Sequence, residues 1–459
     1  MWPSDFSGVK WLYPGMKIKR WFFLAVVGAF LVAAGGAFFL AGSSPAGEAA
    51  FRFLSWFSRR FASRLEAGAI SLTLAAGGVA LVVVGLRNAV HSVAEAVRPG
   101  QRGDLAAAVF ARRQQERGPR IVGVGGGTGL ATLLRGLKTH TDNLTAIVTV
   151  ADDGGSSGRL RTEMGILPPG DVRMCLVALA DMEPLMERLF QYRFHRAGQG
   201  LTGHNFGNLF IAALTAITGD FEQAIKESSK VLAVRGQVLP STLRDVVLRA
   251  KLADGREIAG ESDIPLARGA IRRVCLDPAD PPALPEALAA LEAAEVIVLG
   301  PGSLYTSVIP NLLVKGIAEA IRRSRAVKVY VCNVMTQPGE TDGYTVADHV
   351  RAILDHAGPG LIDYVLVNTL AVPSHLRRKY EEQGAEPVVY DPERLAELGV
   401  TPVPGELASL TDLVRHEPER LARAILALAG RKWKGPRRGR IAPGGGRRDG
   451  REEGRQNRA

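Results

Sequence analysis

The chain has 459 residues, 46% apolar and 22% charged, a composition that supports folded units, excludes global disorder and, at this length, points to two or three units. The net charge of +11 does not describe a nucleic-acid face, because residues 431–459 hold eleven Lys and Arg against Asp449, Glu452 and Glu453, a balance of +8 that leaves +3 for the rest. No specific nucleic-acid partner is therefore expected.

Residues 1–20 read as a cytoplasmic N-terminus. No charge falls between Trp21 and Gly47, and none between Ala67 and Leu86. Twenty residues at about 1.5 Å each cover a hydrocarbon layer of about 30 Å, so 21–42 and 67–87 are expected to be two transmembrane helices. A signal peptide is the alternative for the first, disfavoured by its length and by the span that follows. Lys10, Lys17, Lys19 and Arg20 precede the first span, and Arg87, Arg98 and Arg102 follow the second. Only Arg52, Arg59, Arg60 and Arg64 lie in the connecting segment 43–66. That bias puts both ends in the cytoplasm, with the protein in the cell membrane. In the connecting segment Phe53, Trp56, Phe57, Phe61 and Leu65 recur at helical spacing, as in a helix lying along the lipid interface. Residues 88–118 read as a polar helical linker and 431–459 as a basic, Gly- and Arg-rich disordered tail. Cys175, Cys275 and Cys332 lie far apart with no CxxC pair, which fits reduced, buried thiols.

Residues 119–430 form the soluble body. Apolar runs at Arg120–Val124, Leu144–Val150, Val296–Leu299, Val327–Cys332 and Tyr364–Val367 read as strands, each followed by a loop and a helical pattern. The alternation predicts an α/β, Rossmann-like, mainly parallel sheet covered by helices. Val246–Ile258, centred on Asp254-Gly255, has the turn chemistry of a hairpin and predicts a small antiparallel excursion.

In such sheets ligands sit beyond the carboxyl ends of the strands, where six unusual loops fall. After the first strand comes Gly123-Val-Gly-Gly-Gly-Thr-Gly129; Gly125, Gly126, Gly127 and Thr128 suit either a phosphate or a tight strand–helix turn. Ala151-Asp-Asp-Gly-Gly-Ser-Ser-Gly158 follows the second strand. Asp152 is able to hold a ligand hydroxyl, or with Asp153 to share Mg²⁺ with substrate phosphates; a turn with capping aspartates is the alternative. Leu167-Pro-Pro-Gly-Asp171 leads into the helix Val172–Ala180, with Asp171 where an N-cap stands. Gly203-His-Asn-Phe-Gly-Asn208 opens the helix Leu209–Ile217, and His204, Asn205 and Asn208 are candidate donors to an anion or sugar hydroxyl. Gly300-Pro-Gly-Ser-Leu-Tyr-Thr-Ser307 offers Gly302 and its neighbours to a diphosphate, with hydroxyls from Ser303, Thr306 and Ser307. There Tyr305 either stacks on a base or packs. The sixth, Cys332-Asn-Val-Met-Thr-Gln-Pro-Gly-Glu-Thr341, places Asn333, Thr336 and Glu340 near the same edge. There is no G-x-S-x-G elbow and no Walker loop, so hydrolase and ATPase readings lack their reactive groups.

Taken in order, GGGTGL, DDGGSSG, PPGD, GHNFGN, GPGSLYTS and NVMTQPGETDGYT resemble the YvcK-like gluconeogenesis-factor family of the CofD-like (2-phospho-L-lactate transferase) superfamily. The resemblance runs from about Arg120 to Thr369 and more weakly to residue 430. It implies a Rossmann-like domain that binds UDP-sugars such as UDP-N-acetylglucosamine, with a role in cell shape and cell-wall precursor supply during gluconeogenic growth. In the transferase branch the equivalent loops hold a guanosine diphosphate donor, a deazaflavin acceptor and a metal. By motif, Asp152, Asp153 and Asp171 then serve acceptor and metal, and are the catalytic candidates if a reaction occurs. Gly302, Ser303 and Tyr305 hold the nucleotide diphosphate. A homodimer is expected. The two spans extend the family's usual soluble architecture.

The leading expectation is a membrane-tethered, non-catalytic UDP-sugar-binding regulator with no certain cofactor beyond Mg²⁺. The alternative is a CofD-like phosphotransferase moving a phospho-acid from a nucleotide donor to an acceptor hydroxyl. A nicotinamide-dependent oxidoreductase and a ligand-free scaffold are the remaining readings.

Overall fold

The computed structural model describes residues 19–41, 64–97, 112–181, 184–195, 198–411 and 413–432. Most of the connecting segment 43–66, and all but the first two residues of the basic tail, lie outside the described residues. The chain divides into two units, 1–112 and 113–459.

In the first unit, helices Lys19–Ala41 and Arg64–Val97 pack against each other. Gly28 faces Gly78, Gly35 faces Ser71 and Gly85 faces Trp21, which fixes an antiparallel pairing. A Cβ on Gly28 would lie 2.6 Å from the Gly78 carbonyl oxygen, so the two backbones touch where side chains are missing. Phe22, Phe23, Val26, Phe30, Leu72, Val79, Val83 and Leu86 project outward. By length and composition Ser71–Val90 is long enough to cross a membrane, whereas the apolar stretch Arg20–Gly36 is shorter. The second helix continues to Val97, into the segment read as a separate linker.

The second unit is built on strands in the following chain order. β1 (Ile121–Gly125), β2 (Leu144–Val148) and β3 (Gln237–Pro240) come first. β4 (Val247–Leu252), β5 (Glu257–Ala259) and β6 (Ile271–Asp277) form the excursion, and β7 (Val296–Leu299), β8 (Val327–Val331), β9 (Tyr364–Asn368) and β10 (Thr401–Gly405) return to the main sheet. A last pair, β11 (Ala408–Leu410) and β12 (Val414–His416), precedes the helix Pro418–Lys432. Seven strands make a parallel sheet in the order β10-β9-β8-β7-β1-β2-β3. Every residue of β1 and β7 is buried, as in central strands of a sheet covered on both faces. The fold is thus α/β with a parallel seven-stranded sheet and two small antiparallel sheets.

Both edge strands escape a strand-pattern reading because they carry proline. Pro240 ends β3, and Pro402 and Pro404 interrupt β10. Proline lacks the N–H of a ladder and is tolerated at an edge. The hairpin expected around Asp254-Gly255 forms as β4 and β5, and β6 pairs on the other side of β4. Two local expectations are corrected. Asp171 is not a cap: the helix runs Gly170–Leu179 with Pro169 at the N-cap, so Asp171 lies in the first turn. Cys275 is exposed, because it points away from the buried side of β6, while Cys175 and Cys332 are buried; all three are free.

Candidate functional site

From β1 the chain steps outward through β2 to β3, then returns to the other side of β1 as β7 and steps outward again. The loops leaving β1 and β7 start side by side and diverge, which opens a crevice at this reversal of strand order. Within β1, Gly123 lets the helix Gly127–Leu137 lie close, since a Cβ there would meet Leu130 Cδ1 at 2.8 Å. A Cβ on Gly129 would stand 2.4 Å from the Pro301 carbonyl oxygen, so the two loops interleave only because this residue is glycine. The helix Gly127–Leu137 begins without a side-chain cap and so offers N–H groups to the crevice. On the β7 side the turn Leu304–Val308 follows Ser303, whose carbonyl takes the Ser307 and Val308 N–H groups, so Gly302 and the Ser303 and Thr306 hydroxyls are what this loop brings to the crevice. Asn311 fastens the two by donating to the carbonyls of Gly125 (3.1 Å) and Ser307 (2.8 Å).

These loops enclose a cleft of about 590 Å³, in the range of small-molecule sites. Gly126, Gly127 and Thr128 line one side, Gly302, Ser303, Thr306 and Ser307 the next, and Asp152 and Asp171 the floor. Asn333 and Thr336 line it as well. Gln337 Nε2 donates to Ser303 Oγ at 2.7 Å and Asn333 Nδ2 to Gln337 Oε1 at 3.3 Å, linking the loops after β7 and β8. Asp152 is held in its own turn by Gly154 N–H at 2.9 Å.

Three carboxyls at the cleft are shifted. Burial, then the Asp152 and Glu261 charges, pushes Asp171 up to about 7, partly offset by the Gly127 N–H it accepts. Burial and Asp152 push Glu261 up to about 7, and burial and Glu261 do the same to Glu340. Near neutral pH these groups hold protons part of the time, which softens the cleft's repulsion of an anion. Arg415 is the one Lys or Arg among the described residues lining the cleft. His416, beside it, is pushed down to about 4 by burial and stays neutral.

Several expected ligand contacts stand behind this wall. Tyr305 is 2% exposed; its hydroxyl pairs with that of Tyr344 at 2.8 Å and its ring packs edge-on against His356, so it supports the loop and does not stack on a base. His204 pairs through Nδ1 with Ser156 Oγ at 3.2 Å. Asn205 caps the helix Phe206–Thr218. Asn208 donates to Ser156 and Ser157 and accepts from Arg173 Nε at 2.8 Å. All three are buried and brace the Asp152 loop from below. Gly125 ends β1 beneath the crevice. Asp153 turns away from it, its carboxylate taken up by Glu261 N–H, Ser262 N–H and the Ser262 hydroxyl. An Mg²⁺ site at Asp152 and Asp153 does not fit this arrangement, and among the described residues no group of three or more His, Cys, Asp or Glu is placed to hold a metal. Glu261, Gln337 and Arg415 are among the cleft residues that sequence reasoning missed. Gln337 lay within a recognised loop; Glu261 and Arg415 lay in none.

Known proteins resolve the class. Residues 121–408 match the family described as 2-phospho-L-lactate transferase CofD. A gluconeogenesis factor of Halalkalibacterium halodurans is 55% identical over 307 residues, 67% of this chain and 95% of its own. That of Bacillus subtilis is 52% identical over 311 residues, 68% of this chain and 98% of its own. A Nostoc protein, 51% identical, aligns over 432 residues, 93% of this chain and 92% of its own, so the likeness there takes in the N-terminal unit. A crystal structure of a UPF0052-family protein from Bacillus halodurans superposes with a TM-score of 0.66 at 53% identity, covering 68% of this chain and 99% of that one. The match over 121–408 places this sheet and its cleft among the CofD-like α/β proteins. Within them, the chain belongs to the YvcK-like gluconeogenesis-factor family.

Proposed function

We propose that the chain is a UDP-sugar-binding regulator of the UDP-N-acetylglucosamine class, tethered to the cell membrane by its two N-terminal helices with the main domain in the cytoplasm. It serves cell morphogenesis and cell-wall precursor supply under gluconeogenic growth. One observation carries the ligand reading: the helix start after β1 and the Gly302-Ser303 loop after β7 line one cleft at the switch point together with Arg415, the one Lys or Arg among the described residues lining it. Backbone N–H groups at a helix start and an arginine are the donors a diphosphate takes. Carboxylates and amides around them suit the hydroxyls of a sugar. The tether is supported by the closely paired helices 19–41 and 64–97, whose outward residues are large and apolar, as a lipid-facing hairpin requires.

Isothermal titration of the detergent-solubilised full-length protein with UDP-N-acetylglucosamine tests the site. Gly302→Asp, which sets a carboxylate in the backbone cradle, and Arg415→Ala are each expected to weaken binding by about tenfold or more. Wild-type affinity in both variants would overturn the reading. Fractionation of cells tests the tether: the chain is expected in the membrane fraction and its release by high salt alone contradicts two spans.

One observation favours a second reading, phosphotransfer to an acceptor hydroxyl. Asp171, raised to about 7 beside the glycine loop, has the proton affinity a general base needs at neutral pH. Incubation with nucleotide donors and a deazaflavin acceptor, with and without Mg²⁺, followed by mass spectrometry decides it; absence of a phosphorylated product retires the idea.

A further inference from the structure

The excursion β4–β6 is rooted independently of the cleft. Arg161 reaches Asp245 at 2.6 Å and the Val246 carbonyl at 2.8 Å, and Leu248, Ala250, Leu252, Val274 and Leu276 are buried. Yet its outer end makes three more contacts, all with loops of the site. The Asp153 carboxylate accepts from the N–H groups of Glu261 and Ser262, both at 3.0 Å, and from the Ser262 hydroxyl. Gly260, at φ +110°, makes the turn, and a Cβ on it would fall 2.7 Å from Asp153 Oδ2. The Pro265 carbonyl oxygen fills the place of a side chain on Gly339, 2.0 Å from that Cβ position, in the loop after β8. The Thr306 hydroxyl, in the loop after β7, lies close enough to Glu261 to lower its proton affinity.

Packing alone does not call for so many acceptor bonds on one short turn. What they fix is the place of Glu261, half-buried in the cleft wall with Asp152 and Asp171. Thr306 has one hydroxyl hydrogen and two carboxylates in reach, Glu261 and Glu340, the latter at 3.5 Å. Glu340 Oε2 is buried without a partner among the described residues. At least one of the two carboxylates therefore always lacks this donor. A carboxyl oxygen left without a donor is placed to accept from O–H or N–H groups of a ligand. In a nucleoside diphosphate sugar, the sugar is the part rich in such donors.

We propose that Glu261 is the residue that recognises the sugar, distinguishing a nucleotide sugar from the bare nucleoside diphosphate, and that Asp153 is the positioning residue that holds it there. The proposal rests on the nucleotide-sugar reading of the cleft. Glycine loops and Arg415 grip the diphosphate; the excursion reads what is attached to it.

Calorimetry of the full-length protein with UDP and with UDP-N-acetylglucosamine separates the two claims. The wild type is expected to bind the sugar nucleotide about tenfold tighter than UDP, the scale of a hydrogen bond to a charged acceptor. Glu261→Ala and Asp153→Ala are each expected to bring that ratio close to one, chiefly through loss of affinity for the sugar nucleotide. Asp153→Asn, which keeps one acceptor oxygen, is expected to retain part of the ratio. An unchanged ratio in Glu261→Ala, or equal loss of both ligands in Asp153→Ala, overturns the proposal. Equal binding of both ligands by the wild type overturns it and leaves the nucleotide site standing; binding of neither overturns both.

Discussion

Asp171 Oδ2 occupies the space that a side chain on Gly126 would need: a Cβ there would lie 2.3 Å from that oxygen and 2.9 Å from Thr149 Cγ2. Gly126 has an extended backbone, φ −167°, that any residue adopts, so its constraint is contact and not strain. The Gly127 N–H at the helix start lies near enough to this carboxyl to lower its proton affinity. Gly126→Ala should therefore push Asp171 out of the floor and weaken UDP-N-acetylglucosamine binding by about tenfold or more. A double-mutant cycle with Asp171→Ala should be non-additive, because removing the obstructing carboxyl relieves the added methyl. Simple additivity would show that the two residues act apart.

The acidic floor makes the stability of the unliganded protein run against the usual pH trend. Asp171, Glu261 and Glu340 sit near 7 in the folded chain, above their ordinary carboxylate values. The folded state then holds more protons than the unfolded one between about pH 4 and 7, and stability falls as pH rises through that window. Thermal unfolding should show a lower midpoint at pH 8 than at pH 5. Asp171→Asn should raise the midpoint at pH 8 by a few degrees, of order 1–2 kcal/mol, and leave it near wild type at pH 5. A midpoint in Asp171→Asn that follows the wild-type pH curve would refute the assignment.

Where one short segment decides a structure, the sequence reveals it. Val296–Leu299 reads as a strand and is one, because four apolar residues between a charged helix end and Gly300 have few alternatives. The loops at Gly126, Asp152 and Gly302 declare themselves because close backbone approach demands glycine. Residues delivered to the cleft from afar do not. Glu261 meets Asp153 across 108 positions of chain, and nothing in Gly260-Glu261-Ser262 announces a destination. Arg415 follows the β10 edge strand, whose prolines hide it. Chemistry also misleads where packing claims a side chain first. His204 and Asn208 look like anion donors, but His204 Nδ1 pairs with Ser156 and the Asn208 amide is engaged by Ser156, Ser157 and Arg173.

Tyr305 gives a direct test of that last distinction. Its ring is buried among Tyr344 and His356, and its hydroxyl points to Tyr344. Tyr305→Phe should leave nucleotide-sugar affinity within about twofold and cost about 1 kcal/mol of stability for the lost hydrogen bond. Tyr305→Ala should cost about 3–5 kcal/mol, as for other large-to-small changes in a core, and lower binding only through unfolding. A loss of nucleotide-sugar affinity of about tenfold or more in Tyr305→Phe with its fold intact would restore a direct contact.

The N-terminal hairpin depends on glycine for another reason. Gly28 and Gly78 each face the other's carbonyl oxygen, at 2.6 Å from the Cβ position. Seven residues on, Gly35 meets Ser71, and in the other direction Gly85 meets Trp21, so one stripe of small side chains runs down the seam. Water-filled or lipid-filled surroundings alike leave such a seam to van der Waals contact and Cα–H···O bonds, which a bulky residue abolishes. Gly78→Leu should separate the helices, whereas Val79→Leu, on the exposed outer face, should be tolerated. Limited proteolysis of the full-length protein in detergent reads the seam: Gly78→Leu should be cut within residues 19–97 about an order of magnitude faster than the wild type, and Val79→Leu at the wild-type rate. Equal cleavage of Gly78→Leu and the wild type would mean that the glycines do not set the pairing.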